Sequence, residues 1–158
     1  MEEALITAQT TVNVTLHQAT AWFMALKDHP ERYQFETHAG FTFTHGNFGA
    51  IGAHFETREH FYGLRFSLHF ELTDTKPDQF RFRLRHLPIW GAFELQEQAS
   101  ADASAHIHLR LHVGGTTAVG RAIVRSPFVY DAVKRQIQGE VDNIKASMER
   151  LYSTPSLD

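Results

Sequence analysis

The 158-residue sequence contains no cysteine, which excludes disulfide bonds and zinc sites built on thiolates. It also lacks an excess of basic residues: the net charge is −3, which does not indicate a nucleic-acid partner. No apolar run is long enough to span a bilayer, and the acidic start MEEALITAQ has no hydrophobic signal segment. We therefore expect a cytoplasmic protein without nucleic-acid partners and without stable membrane insertion.

The residues that are present have an ordinary globular composition, 42% hydrophobic and 21% charged, with 13 phenylalanines. This length is typical of one domain with a substantial core. We predict a single domain over residues 1–158, with its core in 4–152 and a loose tail in 153–158.

The C-terminal part carries apolar residues at steps of three and four, which is the spacing of one helix face. The set is Val133, Ile137, Val141, Ile144, Met148 and Leu151. Ser126 followed by Pro127 suits a helix start, so a helix of about 40 Å is predicted from Ser126 to Tyr152. Residues 117–125 are also predicted helical, so Pro127 either starts the long helix or kinks a longer one.

The N-terminal part is predicted to form one strand and two short helices. Apolar and polar residues alternate from Ile6 to Val14, which is typical of a strand with one apolar face. Thr15 and Gln18 then form a capping-box pattern. Apolar positions in the first helix are Ala19, Trp22, Phe23 and Leu26, and Asp28 is predicted to cap a second short helix with Arg32, Tyr33 and Phe35.

From Gly40 onwards, alternation with a period of two continues for about 70 residues and predicts six more strands. Each has one apolar face, which is typical of an antiparallel meander and not of a parallel sheet. The predicted strands begin near Phe41, Ile51, Leu64, Phe80, Ile89 and Ile107.

This order of elements resembles the SRPBCC superfamily, which includes START domains, plant pathogenesis-related proteins and polyketide cyclase-like proteins. The segments that carry the resemblance are Trp22-Phe23, the turn 28–33, Gly49-x-x-Gly52-Ala53-x-Phe55 and Gly120-Arg121. The resemblance implies an α+β helix-grip fold: a seven-stranded curved antiparallel sheet around a long C-terminal helix, with two short helices between strands 1 and 2. It also implies a hydrophobic small-molecule ligand between sheet and helix.

One end of the predicted sheet carries unusually apolar turns. Its tips are His60, Phe61, Tyr62, Leu87, Pro88, Ile89 and Trp90. Because loop tips are normally polar, this cluster predicts the mouth of a cavity under the long helix. The alternative is that the same side chains fold back and plug the core.

Candidate ligand-binding residues follow from this mouth and from the inward faces: Tyr33, His60, Phe61, Tyr62, Phe66, Phe82, His86, Ile89, Trp90, Phe93, Ile123, Val133 and Ile137. The inward faces are otherwise predicted to be almost free of ionisable groups. Glu59 and Thr57 share the inward parity of their strand, although Glu59 could lie at its exposed end. His86, Tyr62 and His60 are the candidate proton-transfer residues, and His86 is expected to face inward with Phe82.

No metal or other cofactor is expected. His106, His108 and His112 share one strand face with Arg110, whose charge disfavours a bound cation, so a solvated outer face is predicted. The arginines at 81, 83 and 85 are expected to pair across strands with Glu71, Glu94 or similar neighbours.

Three functions are compatible with these patterns. The first is binding of a lipid-, polyketide- or aromatic-like molecule. The second is a cyclase or dehydratase-type enzyme that uses the same cavity, and the third is a protein-interaction module using the apolar tips. Ligand identity and oligomeric state carry no prediction.

Overall fold

A computed structural model of the chain describes residues 3–35, 38–61, 63–98 and 105–152, without the side chains of 38, 39 and 61. The elements are β1 (Ile6–Val12), α1 (Leu16–Met24), two 3-10 turns (Ala25–Lys27 and Pro30–Tyr33), β2 (His38–His45), β3 (His54–Phe61), β4 (Leu64–Lys76), β5 (Gln79–Leu84), β6 (Ile89–Gln98), β7 (His106–Gly115), α2 (Ala118–Arg125) and α3 (Pro127–Tyr152).

The seven strands form one antiparallel sheet in the order β1-β7-β6-β5-β4-β3-β2. Consecutive strands from β2 to β7 are neighbours, while β1 pairs with β7. The helix α3 packs against β1, β7, α1 and the second 3-10 turn. The predicted helix-grip architecture is therefore confirmed.

An aromatic cluster fills the space between α1 and the sheet. The Phe23 ring lies 5.5, 5.0 and 4.9 Å from the rings of Phe48, Phe80 and Phe93, measured between centroids. Beside it, Trp22 Nε1 donates a hydrogen bond of 3.1 Å to Ser147 Oγ on α3. Because a buried indole N–H needs an acceptor, this bond positions α1 against the long helix.

Helix ends follow the local sequence in most places. The capping box at Thr15 is present, with Gln18 N donating to Thr15 Oγ1 and Thr15 N donating to Gln18 Oε1, both at 3.0 Å. The prediction that Asp28 caps the second short helix is wrong. That 3-10 turn follows His29, and Pro30, with its fixed φ, supplies the first position.

The junction before α3 selects between the two predictions made for Pro127. The helix α2 ends at Arg125, and Ser126 leaves helical geometry with ψ 129°. Proline disfavours helical geometry in the residue that precedes it. Pro127 therefore begins α3 and does not kink a longer helix.

The third strand begins later than predicted, at His54 instead of Ile51. Gly46 and Gly52 adopt positive φ values of 74° and 86°, which turn the chain into a loop. Phe48 points from this loop into the core, whereas Ile51 is 67% exposed. The alternation of apolar and polar residues around Ile51 therefore falls in a loop and does not mark a strand.

The inward face of α3 is wider than the predicted apolar stripe. Most of that stripe is buried, but Leu151 at its C-terminal end is 44% exposed. Gln136, Glu140 and Ser147 are buried as well. The long helix therefore presents polar groups, as well as apolar ones, to the interior.

The α3 stripe should dominate stability. We expect Ile144→Ala to lower the free energy of unfolding by about 2–5 kcal/mol, because Ile144 is fully buried and its truncation leaves a cavity. Leu151→Ala on the same helix should cost less than about 1 kcal/mol. Urea unfolding of both variants checks this contrast, and equal losses would contradict the packing described.

Candidate ligand-binding site

A cavity of about 380 Å³ lies between the sheet and the first half of α3. Inward side chains of β2 to β7 form one wall, and residues 128–140 of α3 cover it. Most of the lining is apolar. Volume and lining are typical of sites that hold small organic molecules.

Many of the predicted ligand-binding residues line this cavity: Tyr33, Phe66, Phe82, Ile89, Phe93, Ile123, Val133 and Ile137. Trp90 borders it from β6, with its ring on the opposite face of the sheet. His60 is partly exposed and lies outside the lining. Tyr62 and the side chain of Phe61 lie outside the described residues.

Three exposed apolar side chains mark where the cavity reaches the surface. Phe66, Leu87 and Phe128 are 42%, 45% and 66% exposed, and all three line the cavity. We call these residues the rim. Exposed large apolar side chains that converge on a cavity are typical of a ligand mouth.

Trp90 does not have the loop-tip position predicted for it. It lies in β6 opposite Gly114, is only 5% exposed, and its ring lies 4.2 Å from Arg81 Cζ. Side chains alternate along a strand, so with Ile89 facing inward the Trp90 ring lies on the outer face. Trp90 therefore stabilises the sheet beside the cavity and is not a mobile gate.

His86 was predicted to face inward, and this prediction is wrong. The strand β5 ends at Leu84, and the chain turns before His86, so the alternation no longer determines its direction. Its imidazole is exposed, with its ring centroid 6.0 Å from that of His69. It lies in a separate polar surface groove. This position places His86 outside the cavity chemistry.

Two buried glutamates, one from each side of the cavity, form its most polar feature. Glu59 of β3 and Glu140 of α3 are 6% and 7% exposed, both line the cavity, and their carboxyl groups share a hydrogen bond. The prediction of an inward surface almost free of ionisable groups is therefore wrong. Glu140 was missed although it lies three residues after Ile137 and four before Ile144, the same spacing as the apolar stripe.

Burial changes the proton affinity of both carboxyl groups. Loss of hydration raises the pKa of Glu59 to about 7, while the hydrogen bond from Glu140 acts in the opposite direction. Burial also raises the pKa of Glu140 well above its usual range, and the charge and hydrogen bond of Glu59 raise it further. Glu140 therefore keeps its proton and donates it to Glu59, whose own ionisation falls near neutral pH.

Further polar groups lie beside the glutamate pair. Burial, and then the charges of Glu140 and Glu59, raise the pKa of Tyr33 well above its usual range, so its phenol stays neutral. Thr57 Oγ1 is buried without a hydrogen-bond partner in the part of the chain that the structure describes. Gln136 lies one helical turn before Glu140 and also lines the cavity. We call these five residues the polar patch.

The histidine side chains of β7 lie on the outer face of the sheet. His108 is hydrogen-bonded to Gln98 at 2.9 Å, and His112 to Thr7 at 2.8 Å. Arg110 of the same strand forms an ion pair with Glu94 at 2.9 Å. Within residues 3–35, 38–61, 63–98 and 105–152, no three His, Asp or Glu side chains are grouped to hold a metal ion.

The arginines of β5 also face outward, and Arg83 pairs across the strands with Glu71 at 2.9 Å, as predicted. Among the helices that the structure describes, none is both long and apolar enough to cross a membrane.

No family model and no curated protein matches the sequence. Solved structures do match the fold. A START superfamily protein from Mycobacterium smegmatis has a TM-score of 0.65 at 13% identity, covering 94% of this chain and 99% of that one. Ara h 8.0201 has a TM-score of 0.62 at 12% identity, covering 92% and 97%.

A third similar structure is the di-domain ARO/CYC BexL from the BE-7585A biosynthetic pathway, with a TM-score of 0.65 at 12% identity. The match covers 94% of this chain but 47% of BexL. This chain therefore corresponds to about half of the di-domain protein. Together these matches show that the chain has the helix-grip fold of the START and SRPBCC proteins.

The glutamate pair should make stability depend on pH. The folded state keeps a proton on Glu59 up to about pH 7, whereas an unfolded glutamate loses it near pH 4.5. The stability from this group is thus complete below about pH 4.5 and is lost as pH rises through 7. Glu59→Gln removes this loss. Between pH 5 and pH 8, the free energy of unfolding of the variant should therefore rise by roughly 2 to 3 kcal/mol relative to that of the parent.

Urea unfolding at several pH values measures this difference. Glu56→Gln is the matched control, since Glu56 lies on the same strand but points outward, near His69. Parallel pH profiles for the parent and Glu59→Gln would contradict the shifted ionisation of Glu59.

Thr57 gives a second test of the polar patch. Its hydroxyl has no partner in the described part of the protein, so Thr57→Val should raise the free energy of unfolding by about 1 kcal/mol. The same change at Thr42, on the solvent side of β2, should have an effect within about 0.5 kcal/mol of zero. Thermal unfolding at pH 6 compares them, and a destabilised Thr57→Val would show that the hydroxyl is satisfied.

Proposed function

We propose that this protein binds a hydrophobic small molecule, of lipid-, polyketide- or aromatic-like character, in the cavity between the sheet and α3. The observation that carries the proposal is the cavity itself, with about 380 Å³ of space, apolar walls and one polar patch. Such a combination buries an apolar ligand and orients it through a few polar contacts.

The expected affinity follows from the apolar surface that the cavity can cover. Burial of roughly 200 Å² of ligand surface contributes on the order of 5 kcal/mol before the cost of association. Binding of a simple apolar compound should therefore be micromolar or weaker. A natural ligand that also contacts the polar patch should bind more tightly.

The shared fold supports this proposal. In that fold the C-terminal helix covers the concave face of the sheet, and here α3 does so over the cavity. The similar structures include a START superfamily protein and an ARO/CYC protein. TM-scores of 0.65 support a shared architecture with both, at identities of 12% and 13%.

A second candidate function is catalysis of the cyclase or dehydratase type in the same cavity. The glutamate pair favours it, because the pKa of Glu59 is about 7 while Glu140 stays protonated. A carboxylate base beside a carboxylic acid can take a proton from one position of a bound chain and return it to another. In this function the glutamates replace His86 as proton-transfer groups, and the first test remains ligand binding.

The binding function is tested with N-phenyl-1-naphthylamine, an uncharged apolar dye whose nitrogen is not basic. We expect saturable binding of about one dye per chain to the parent protein. Ala132→Phe should weaken this binding by about tenfold or more, because Ala132 lines the cavity and the larger side chain fills it.

Ala146→Phe is the control on the same helix, since Ala146 is exposed and outside the cavity lining. It should bind the dye like the parent. Absence of saturable binding to the folded parent, or equal losses in the two variants, would contradict the proposed cavity function.

A further inference from the structure

The polar patch is rich in acceptors and poor in positive charge. When Glu59 is ionised, Glu140 uses its proton in the hydrogen bond to Glu59, so the remaining oxygens of the pair can only accept. The lining residues described by the structure include no lysine, arginine or histidine. Once Glu59 is ionised, the cavity therefore has a negative end, and none of the described lining residues supplies a cation to balance it.

This charge distribution discriminates between ligand classes. A fatty acid or another carboxylate would bring a second negative charge next to Glu59 in an apolar space, which is unfavourable. An alcohol can donate one hydrogen bond but leaves the charge uncompensated. A protonated amine supplies both positive charge and up to three N–H donors.

The hydroxyl of Thr57, which has no hydrogen-bond partner among the described residues, is independent evidence for a ligand group at this position. Thr57 is 3% exposed, lies two residues before Glu59 on the inward face of β3, and lines the cavity. Buried polar groups are normally hydrogen-bonded, so an orphaned hydroxyl facing a cavity calls for a partner. A donor beside Glu59 would also be in reach of this oxygen, which can accept from it.

We propose that the ligand is a hydrophobic amine, whose apolar body fills the cavity and whose protonated nitrogen is bound by Glu59, Glu140 and Thr57. This inference rests on the proposed ligand-binding function and narrows it to one chemical class. In the complex Glu59 is a carboxylate, Glu140 keeps its proton, and the ammonium ion balances the remaining charge.

The pH dependence of binding follows from the groups that face the pair. Among the side chains that the structure describes, these are Tyr33 from the second 3-10 turn, Thr57 from β3 and Gln136 from α3, and of them only Tyr33 titrates. Tyr33 stays neutral over the relevant range. Below pH 7 the free pair must therefore release a proton, from Glu59 to the buffer, when the ammonium ion binds.

Amine affinity should accordingly rise with pH until the pair is ionised. With the pKa of Glu59 at about 7, the increase from pH 5.5 to pH 8 is roughly 30-fold. Below the pKa of the amine itself, nothing else in the patch opposes this rise. An uncharged analogue of the same shape should show no comparable dependence.

The test measures displacement of the uncharged dye by three matched compounds: 4-phenylbutylamine, 4-phenylbutan-1-ol and 4-phenylbutyrate. At pH 8 the amine should bind about tenfold or more tightly than the alcohol, and the carboxylate most weakly. Calorimetry at pH 6, in buffers with different ionisation enthalpies, should show close to one proton released per amine bound and none per alcohol.

Variants then test whether the glutamate pair causes the preference for the amine over the alcohol. Glu59→Gln should lower amine affinity about tenfold or more and leave alcohol affinity within about twofold. Glu56→Gln, the outward neighbour on β3, should bind all three compounds like the parent. The proton-release measurement uses only the parent protein, so the proposal is tested even if Glu59→Gln does not fold.

The outcomes separate this inference from the function on which it rests. If the dye binds but amine and alcohol compete equally, or if no proton is released at pH 6, the amine proposal is wrong and the cavity function stands. If the dye does not bind the folded parent, both are wrong.

Discussion

Burial of two carboxyl groups inside an apolar cavity is the interaction on which the rest of this site depends. A charged carboxylate without hydration is costly, and two adjacent charges would be more so. The pair lowers this cost by holding Glu140 protonated and hydrogen-bonded to Glu59. Because one glutamate comes from β3 and the other from α3, this bond also joins the helix to a part of the sheet that lies across the cavity.

The cavity persists because α3 is held at both ends. Near its C-terminal end the Trp22–Ser147 hydrogen bond fixes it to α1 and the aromatic cluster. At the other end α2 packs against the β5–β6 turn, where a Cβ on Gly120 would collide with the Pro88 carbonyl oxygen. In the sheet, a Cβ on Gly91 would lie 2.5 Å from the Phe82 ring, so glycine lets that ring lie against β6. Between these contacts the helix spans a gap that its side chains do not fill.

The glutamate pair links the two candidate functions by one physical property. An apolar wall with a single negative end binds an amphiphilic molecule in one orientation, and a carboxyl group that ionises near neutral pH can also exchange protons with what it orients. Binding and catalysis therefore differ in the ligand's reactivity more than in the protein's architecture. The rim controls access in either case, since Phe66, Leu87 and Phe128 lie where the cavity reaches solvent.

Local rules determined most of the fold. The Thr15 capping box, the α3 stripe and the alternation in β4 to β7 each depend on residues close in sequence, so the sequence predicts them directly. Alternation failed where a strand ended: Ile51 lies in a glycine-directed loop, and His86 follows the last residue of β5. The spacing of Glu140 could have revealed an inward carboxyl group on α3. Its pairing with Glu59 could not be predicted, because only the tertiary structure brings a strand and a distant helix across one cavity. Burial there raises the pKa of both carboxyl groups, and the charge and hydrogen bond of Glu59 raise that of Glu140 further.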